Sequence, residues 1–174
     1  MLKKISSLLF LLFFLSFGKS FAQNNLSDKF EILYNPQKYP ASAKFYDKNG
    51  KEVLLSDFHG KVIVLNFWKA TCRTCLIELP SLNNLSKKYP QIVVLAISEG
   101  QEDAQFIERI LHKERRLDNI SVSLDKEQRM LNLLGGGKVP QTHLIDKDGT
   151  VRGLIKGGAD FNSKELQKQI ESFM

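Results

Sequence analysis

Cysteine is scarce in this chain, whose 174 residues hold only Cys72 and Cys75. Two cysteines exclude a four-cysteine zinc site and a framework of several structural disulfides by counting alone. Histidine is nearly as sparse, with three residues, and tryptophan occurs once. No apolar run approaches membrane-spanning length after the N-terminal stretch, and internal repeats and low-complexity tracts are absent. A surplus of one charge sign is also small. The formal +6 falls to +3 once a leader holding Lys3, Lys4 and Lys19 but no acid is set aside. So mild a surplus does not suggest the footprint of a nucleic-acid binder, nor do 43% hydrophobic against 25% charged residues suggest a disordered chain. One globular domain remains, expected to be a monomer with no nucleic-acid partner.

The N-terminus predicts export. Lys3 and Lys4 precede an apolar run from Leu8 to Phe17, and Ser20-Phe21-Ala22 places small residues at the cleavage positions of a secretory signal peptide. The run is shorter than the roughly 20 residues that span a bilayer, which argues against an uncleaved membrane anchor. Gln23 stands where a lipoprotein would need cysteine. The expected product is a soluble periplasmic protein of residues 23–174, in a compartment that drives neighbouring thiols toward disulfides.

Residues 23–40 are polar, contain Pro36 and Pro40 and lack periodicity, so they predict a linker or loosely docked arm before a domain over 41–174. Asp47-Lys48-Asn49-Gly50, flanked by apolar stretches, predicts an early β-hairpin, because both Asn49 and Gly50 accept positive φ. The runs Val62 to Phe67 and Ile92 to Ile97 have the β-branched, near-continuous apolar character of strands covered on both faces. Between them Leu76, Leu79, Leu82 and Leu85 recur at helical spacing, with Pro80 predicting a kink. Phe106, Ile107, Ile110 and Leu111 predict an amphipathic helix within 102–115 and complete a βαβ unit. A short strand near 120–124, a helix near 128–134, strands at 142–146 and 151–155 and a helix carrying Leu166, Ile170 and Phe173 follow. The class is α/β, a mixed sheet flanked by helices.

Cys72-Arg73-Thr74-Cys75 is the sharpest feature. A two-residue spacer at a helix start brings both sulfurs within one bond length, and the helix N-terminus favours a thiolate on the first. Cys72 is therefore the expected nucleophile and Cys75, one turn deeper, the resolving thiol. The cycle would need no cofactor beyond the dithiol. Leu76 in place of histidine removes covalent haem attachment, which requires C-x-x-C-H. Gly135-Gly136-Gly137-Lys138 lacks the spacing and the Ser or Thr of a phosphate loop and is expected to be a flexible approach to Pro140.

Residues 61–80, from Lys61 to Pro80, closely resemble the active-site segment of the TlpA/ResA-like branch of exported thioredoxin-fold proteins. Phe58-His59-Gly60-Lys61, Val139-Pro140-Gln141-Thr142 and Leu144 to Gly149 extend the resemblance over residues 41–173. It implies a thioredoxin-like fold with an added N-terminal hairpin, and a cis peptide before Pro140 that leaves the Val139 backbone free to pair with substrate. It further implies that Glu78 is a partly buried acid able to shuttle the proton of Cys75, the alternative being a solvated helix glutamate, and that Trp68 lies near the disulfide, the alternative being a plain core role. Trp68, Arg73, Val139 and Pro140 are the expected substrate-side residues. The implied role is reduction of exported proteins, apocytochrome c among the candidates, with electrons from a membrane thiol transporter.

The chain departs from that pattern in two places. Thr71 stands where the family usually has a second tryptophan, and Arg73-Thr74 replaces pairs that usually end in proline. A guanidinium beside the helix start favours the Cys72 thiolate and so a less reducing potential, with Lys69 either adding to that effect or solvated. Two rivals stay open. One is a copper-binding assembly module using Cys72, Cys75 and His143, although His143 is equally a core residue and such chaperones usually space their cysteines by three. The other is a thiol peroxidase, whose usual Pro-x-x-x-Thr-x-x-Cys pattern residues 68–75 do not show.

Overall fold

The computed structural model describes residues 26–174, so the proposed leader lies outside the described residues. Eight strands form one sheet: β1 (Glu31–Lys38), β2 (Lys44–Asp47), β3 (Glu52–Leu54), β4 (Ile63–Trp68), β5 (Val93–Ser98), β6 (Ser123–Leu124), β7 (Gln141–Ile145) and β8 (Thr150–Lys156). Their spatial order is β1-β8-β7-β4-β5-β6-β2-β3. The helices are α1 (Arg73–Lys88), α2 (Ala104–Glu108), α3 (Arg129–Leu133) and α4 (Lys164–Glu171). The predicted helix over 102–115 is α2 followed by a π-helical segment, Arg109–Glu114, rather than one uniform helix.

Strand β4 lies at the centre, with all six residues buried, parallel to β5 and antiparallel to β7. Its apolar run on both faces is explained by cover from both sides. Val64 and Trp68 pack with Leu79, Leu82 and Leu85 of α1, with Ile107 and Leu111, and with Leu166 and Ile170 of α4. Ile63, Leu65 and Phe67 point the other way, toward Met130 and Leu131 of α3 and Phe45 of the hairpin. The order β4-β5-β6 advances in one direction through parallel crossovers, and α1 and α2 pack into the same core cluster on one face. The return from β6 to β7 carries α3 across the other.

The structure corrects one expectation and adds detail to two. Residues 23–40 are not a linker throughout: residues 31–38 form β1, antiparallel to β8, and Gln169 brackets the buried Phe30 through its backbone N–H (2.7 Å) and carbonyl (3.3 Å). An edge strand whose side chains are mostly exposed carries no alternating pattern to read. In the hairpin turn only Gly50 takes positive φ (78°), while the Asp47 carboxylate accepts from the amides of Asn49 and Lys51. At Pro80, where the sequence predicts a kink, α1 continues as one element. Proline has no N–H to give the Leu76 carbonyl four residues earlier, and the guanidinium of Arg115 donates to that carbonyl instead, at 3.0 Å.

This last contact predicts a coupling. Replacing Arg115 by Ala should lower stability by about 0.5–1 kcal/mol in urea unfolding, and the loss should shrink by at least about half in a Pro80→Ala background, where residue 80 regains its donor. Equal losses in both backgrounds would show that Arg115 does not stand in for the missing amide.

Candidate active site

The two cysteines sit where β4 ends and α1 begins, bonded as a disulfide with Cα atoms 5.3 Å apart. Cys72 is the N-cap of α1, and the Cys75 amide donates toward its Sγ at 3.2 Å. The first sulfur thus occupies the place of a capping oxygen, among the unpaired amides and positive end of the helix dipole. Cys72 is half-buried and Cys75 fully buried, the asymmetry expected from the spacing.

Across from Cys72 lies the Val139–Pro140 peptide, which is cis. The Val139 carbonyl oxygen is 4.0 Å from Cys72 Sγ. Arg73, the first residue of α1, is exposed, as is Thr71. Trp68 requires a correction: it is fully buried beneath the site, packed in the same cluster as Cys75, and offers no surface to a substrate. Its side chain follows from strand alternation, which turns residue 68 inward under α1.

Glu78 is buried too, not solvated. One turn of α1 beyond Cys75, its carboxylate accepts from Asn66 Nδ2 (2.9 Å) and from the amide of Ala159 (2.9 Å). Asn66 Nδ2 also donates to Thr142 Oγ1 at 2.9 Å. The loop after β8 can come this close because residue 158 is glycine; a Cβ there would lie 2.5 Å from Thr74 Cγ2. Burial pushes the Glu78 carboxyl up to about 7, against the downward pull of its two hydrogen bonds. Asn66 and Thr142 were not singled out from the sequence, although an asparagine inside the apolar run 62–67 was a legible sign of a buried partner.

A second buried carboxyl was also missed. Glu99 follows β5, its amide donates to the Trp68 carbonyl at 2.8 Å, and its side-chain oxygens have no partner among the described residues. Burial foremost, with Asp125 adding and the Lys69 ammonium opposing, holds it up to about 8.

His143 does not join the cysteines. It faces Leu65 in register and meets Phe67 edge-on at 5.8 Å, which puts it on the α3 side of the sheet while the dithiol caps the α1 side. Gln141 Nε2 lies 2.8 Å from its Nε2, and burial lowers its pKa to about 4. A Cys72/Cys75/His143 copper site is therefore geometrically divided by the sheet. Among the described residues no group of three or more His, Cys, Asp or Glu side chains could hold a metal ion.

A mixed sheet with a redox-active C-x-x-C at the start of a helix, facing a cis-proline, defines a thiol-disulfide oxidoreductase of the thioredoxin fold. Comparison with known proteins narrows the class. Residues 36–154 match the model of the AhpC/TSA family. The thiol-disulfide oxidoreductase ResA of Geobacillus thermodenitrificans is 32% identical over 128 residues, covering 72% of this chain and 71% of the relative. Among solved structures, a Chlorobium tepidum protein assigned as a thiol:disulfide interchange protein DsbE superposes with a TM-score of 0.69 at 26% identity, over 80% of this chain and 97% of that one. MTB dsbF shares the fold, with a TM-score of 0.67 at 18% identity, over 78% of this chain and 98% of that one. The chain belongs to the AhpC/TSA family and, within it, to the ResA-like thiol-disulfide oxidoreductases.

The raised carboxyl of Glu78 has a measurable sign. In the folded state it holds its proton up to about pH 7, whereas an unfolded glutamate loses it near 4.5. Its contribution to stability is therefore fully present below pH 4.5, falls as pH rises between 4.5 and 7, and is lost above. Glu99 falls similarly over 4.5 to 8, and His143, with its lowered pKa, gains between 4 and 6.5, so wild-type pH dependence mixes the three. The difference between wild type and Glu78→Gln isolates one. Unfolding free energies measured from pH 4.5 to 8 should move by about 3 kcal/mol in favour of the variant as pH rises; a flat difference would mean that the Glu78 proton is not held by burial.

Proposed function

We propose that the protein is exported and acts as a reductant of disulfides in exported proteins, with Cys72 as nucleophile, Cys75 as resolving thiol, Glu78 as proton shuttle and the Val139-Pro140 loop as the substrate clamp. The observation that carries this reading is the half-buried Cys72 sulfur at the α1 N-terminus, facing Val139, with Cys75 closed off behind it.

In the reduced protein the Cys72 thiolate attacks one sulfur of a substrate disulfide, forms a mixed disulfide and expels the other substrate sulfur as a thiolate. Cys75 then loses its proton and attacks Cys72 Sγ. The Cys72–substrate bond breaks, the second substrate thiolate leaves, and the Cys72–Cys75 disulfide remains. Two electrons have passed to the substrate, which takes up two protons. Glu78, with a pKa of about 7, accepts a proton from Cys75 and returns it at neutral pH. In the disulfide state Glu78 is held by Asn66 and Ala159 instead.

Restoring the dithiol needs two electrons from outside the chain, and a membrane thiol-electron transporter is the proposed donor. No other cofactor enters the cycle. The leader pattern supports export to the periplasm, and among the described residues no helix is long and apolar enough to cross a membrane. The resemblance to TlpA/ResA-like proteins supports reduction as the direction and apocytochrome c as a substrate class.

Trapping tests the assignment of roles. Cys75→Ser should accumulate mixed disulfides through Cys72 in the exported fraction, resolved by non-reducing gels and named by mass spectrometry, while Cys72→Ser should trap at most about a tenth as much. Equal trapping by both variants would overturn the roles. Glu78→Gln should slow resolution of a preformed mixed disulfide at pH 7 by at least about tenfold, with its formation rate little changed; an unaltered resolution rate would remove the shuttle.

A further inference from the structure

We propose that a groove beside the Val139-Pro140 loop is a subsite for an acidic side chain flanking the cysteine of the protein substrate, selected by Lys138 and Lys156. This substrate class presupposes the dithiol exchange proposed above and specifies which protein segments it favours.

The groove encloses about 580 Å³ between the Gly135–Lys138 loop and the end of β8. Val139 links it to the reacting sulfur, because the residue lines the groove and its carbonyl oxygen lies 4.0 Å from Cys72 Sγ. Its two walls are tied together by the Gly157 amide, which donates to the Pro140 carbonyl at 2.9 Å. Strand geometry advances about 3.3 Å per residue, so a residue two positions from a cysteine engaged at Cys72 lies about 7 Å from it, the reach that the subsite beyond Val139 requires.

Much of the wall is bare backbone. Gly135, Gly136 and Gly137 take φ of 101°, 65° and 131°, conformations that residues with a Cβ rarely adopt, and a Cβ at Gly135 or Gly157 would meet nothing. The amides of Gly137 and Lys138 have no main-chain partner among the described residues, which leaves them open to an incoming extended segment.

The side chains in the lining set the preference. Lys138 and Lys156 are exposed, and no acidic residue lines the groove. Among the described residues neither lysine is engaged in an ion pair, whereas Lys44 and Lys48 on the hairpin side are paired with Glu52 and Glu108. Two uncompensated ammonium groups over a concave, backbone-lined surface attract a carboxylate and repel another cation. The half-buried Leu154 supplies apolar contact for the rest of the segment.

Three synthetic peptides of the form Ala-X-Ala-Cys-Ala-X-Ala, their cysteine blocked as a methyl disulfide and X being Asp, Asn or Lys, test the subsite. The reduced full-length mature protein should react with the Asp peptide at least about fivefold faster than with the Lys peptide at low ionic strength, and 1 M salt should compress that ratio toward one. Lys138→Glu/Lys156→Glu should invert the ratio and Lys138→Gln/Lys156→Gln should bring it near one. Using a ratio cancels any general loss of activity in a variant. Equal wild-type rates for all three peptides, or a ratio unmoved by both double variants, would overturn the acidic subsite while leaving the oxidoreductase reading intact. A wild-type protein that reduces none of the peptides, nor the neutral reagent 4,4′-dithiodipyridine, would remove both.

Discussion

Everything at the site depends on where α1 begins. The Cys75 amide, aimed at the Cys72 sulfur, makes a cysteine sulfur the cap of a 16-residue helix set on the end of a fully buried strand. A helix advances about 100° per residue. A start one residue later would deprive Cys72 of the free amides, swing Cys75 out of the core and turn Glu78 away from Asn66. The same register that polarises one sulfur therefore hides the other and places the acid.

That register is held by a buried polar chain that crosses three elements. Thr142 on β7, Asn66 on β4, Glu78 on α1 and Ala159 after β8 are linked by hydrogen bonds of 2.9 Å. Next to it, Ser81 donates to the Glu78 carbonyl and accepts from the Phe161 amide. Burying a carboxyl is costly, and the cost is partly offset by the two donors, which leaves Glu78 poised near neutrality instead of firmly charged or neutral. A purely apolar residue there would pack well but could not take up a proton beside the dithiol. The network thus ties the packing of three elements to one carboxyl, the group proposed as proton shuttle.

The sheet separates two chemistries that the linear sequence leaves mixed. On the α1 face lie the disulfide, Trp68 and Glu78; on the α3 face His143 is neutral and packed against Phe67. Strand alternation decides this, since His143 and Thr142 are neighbours in sequence but point to opposite sides. The Pro80 position shows a comparable long-range solution. The defect it introduces in α1 is met by Arg115, 39 residues from the carbonyl it serves, so a local signal for a kink is answered by a distant side chain.

The dithiol, its strand-to-helix setting, the covered central strands and the helix faces were legible from the sequence alone, because spacing and periodicity are local properties of a chain; the cis-proline loop was implied only by the family resemblance. The burial of Glu78 was legible only as one of two alternatives, and Trp68 had its neighbourhood right but its accessibility wrong. Edge strand β1 left no pattern, since a strand exposed on most positions needs no alternation. What only the tertiary structure decided was which distant residues share a site: Asn66 bonds Glu78 and Thr142, Ala159 bonds Glu78, and Lys138 and Lys156 line one groove. Those pairings join residues far apart in the chain, and their proximity arises from strand order and helix crossing, which no local window of sequence contains.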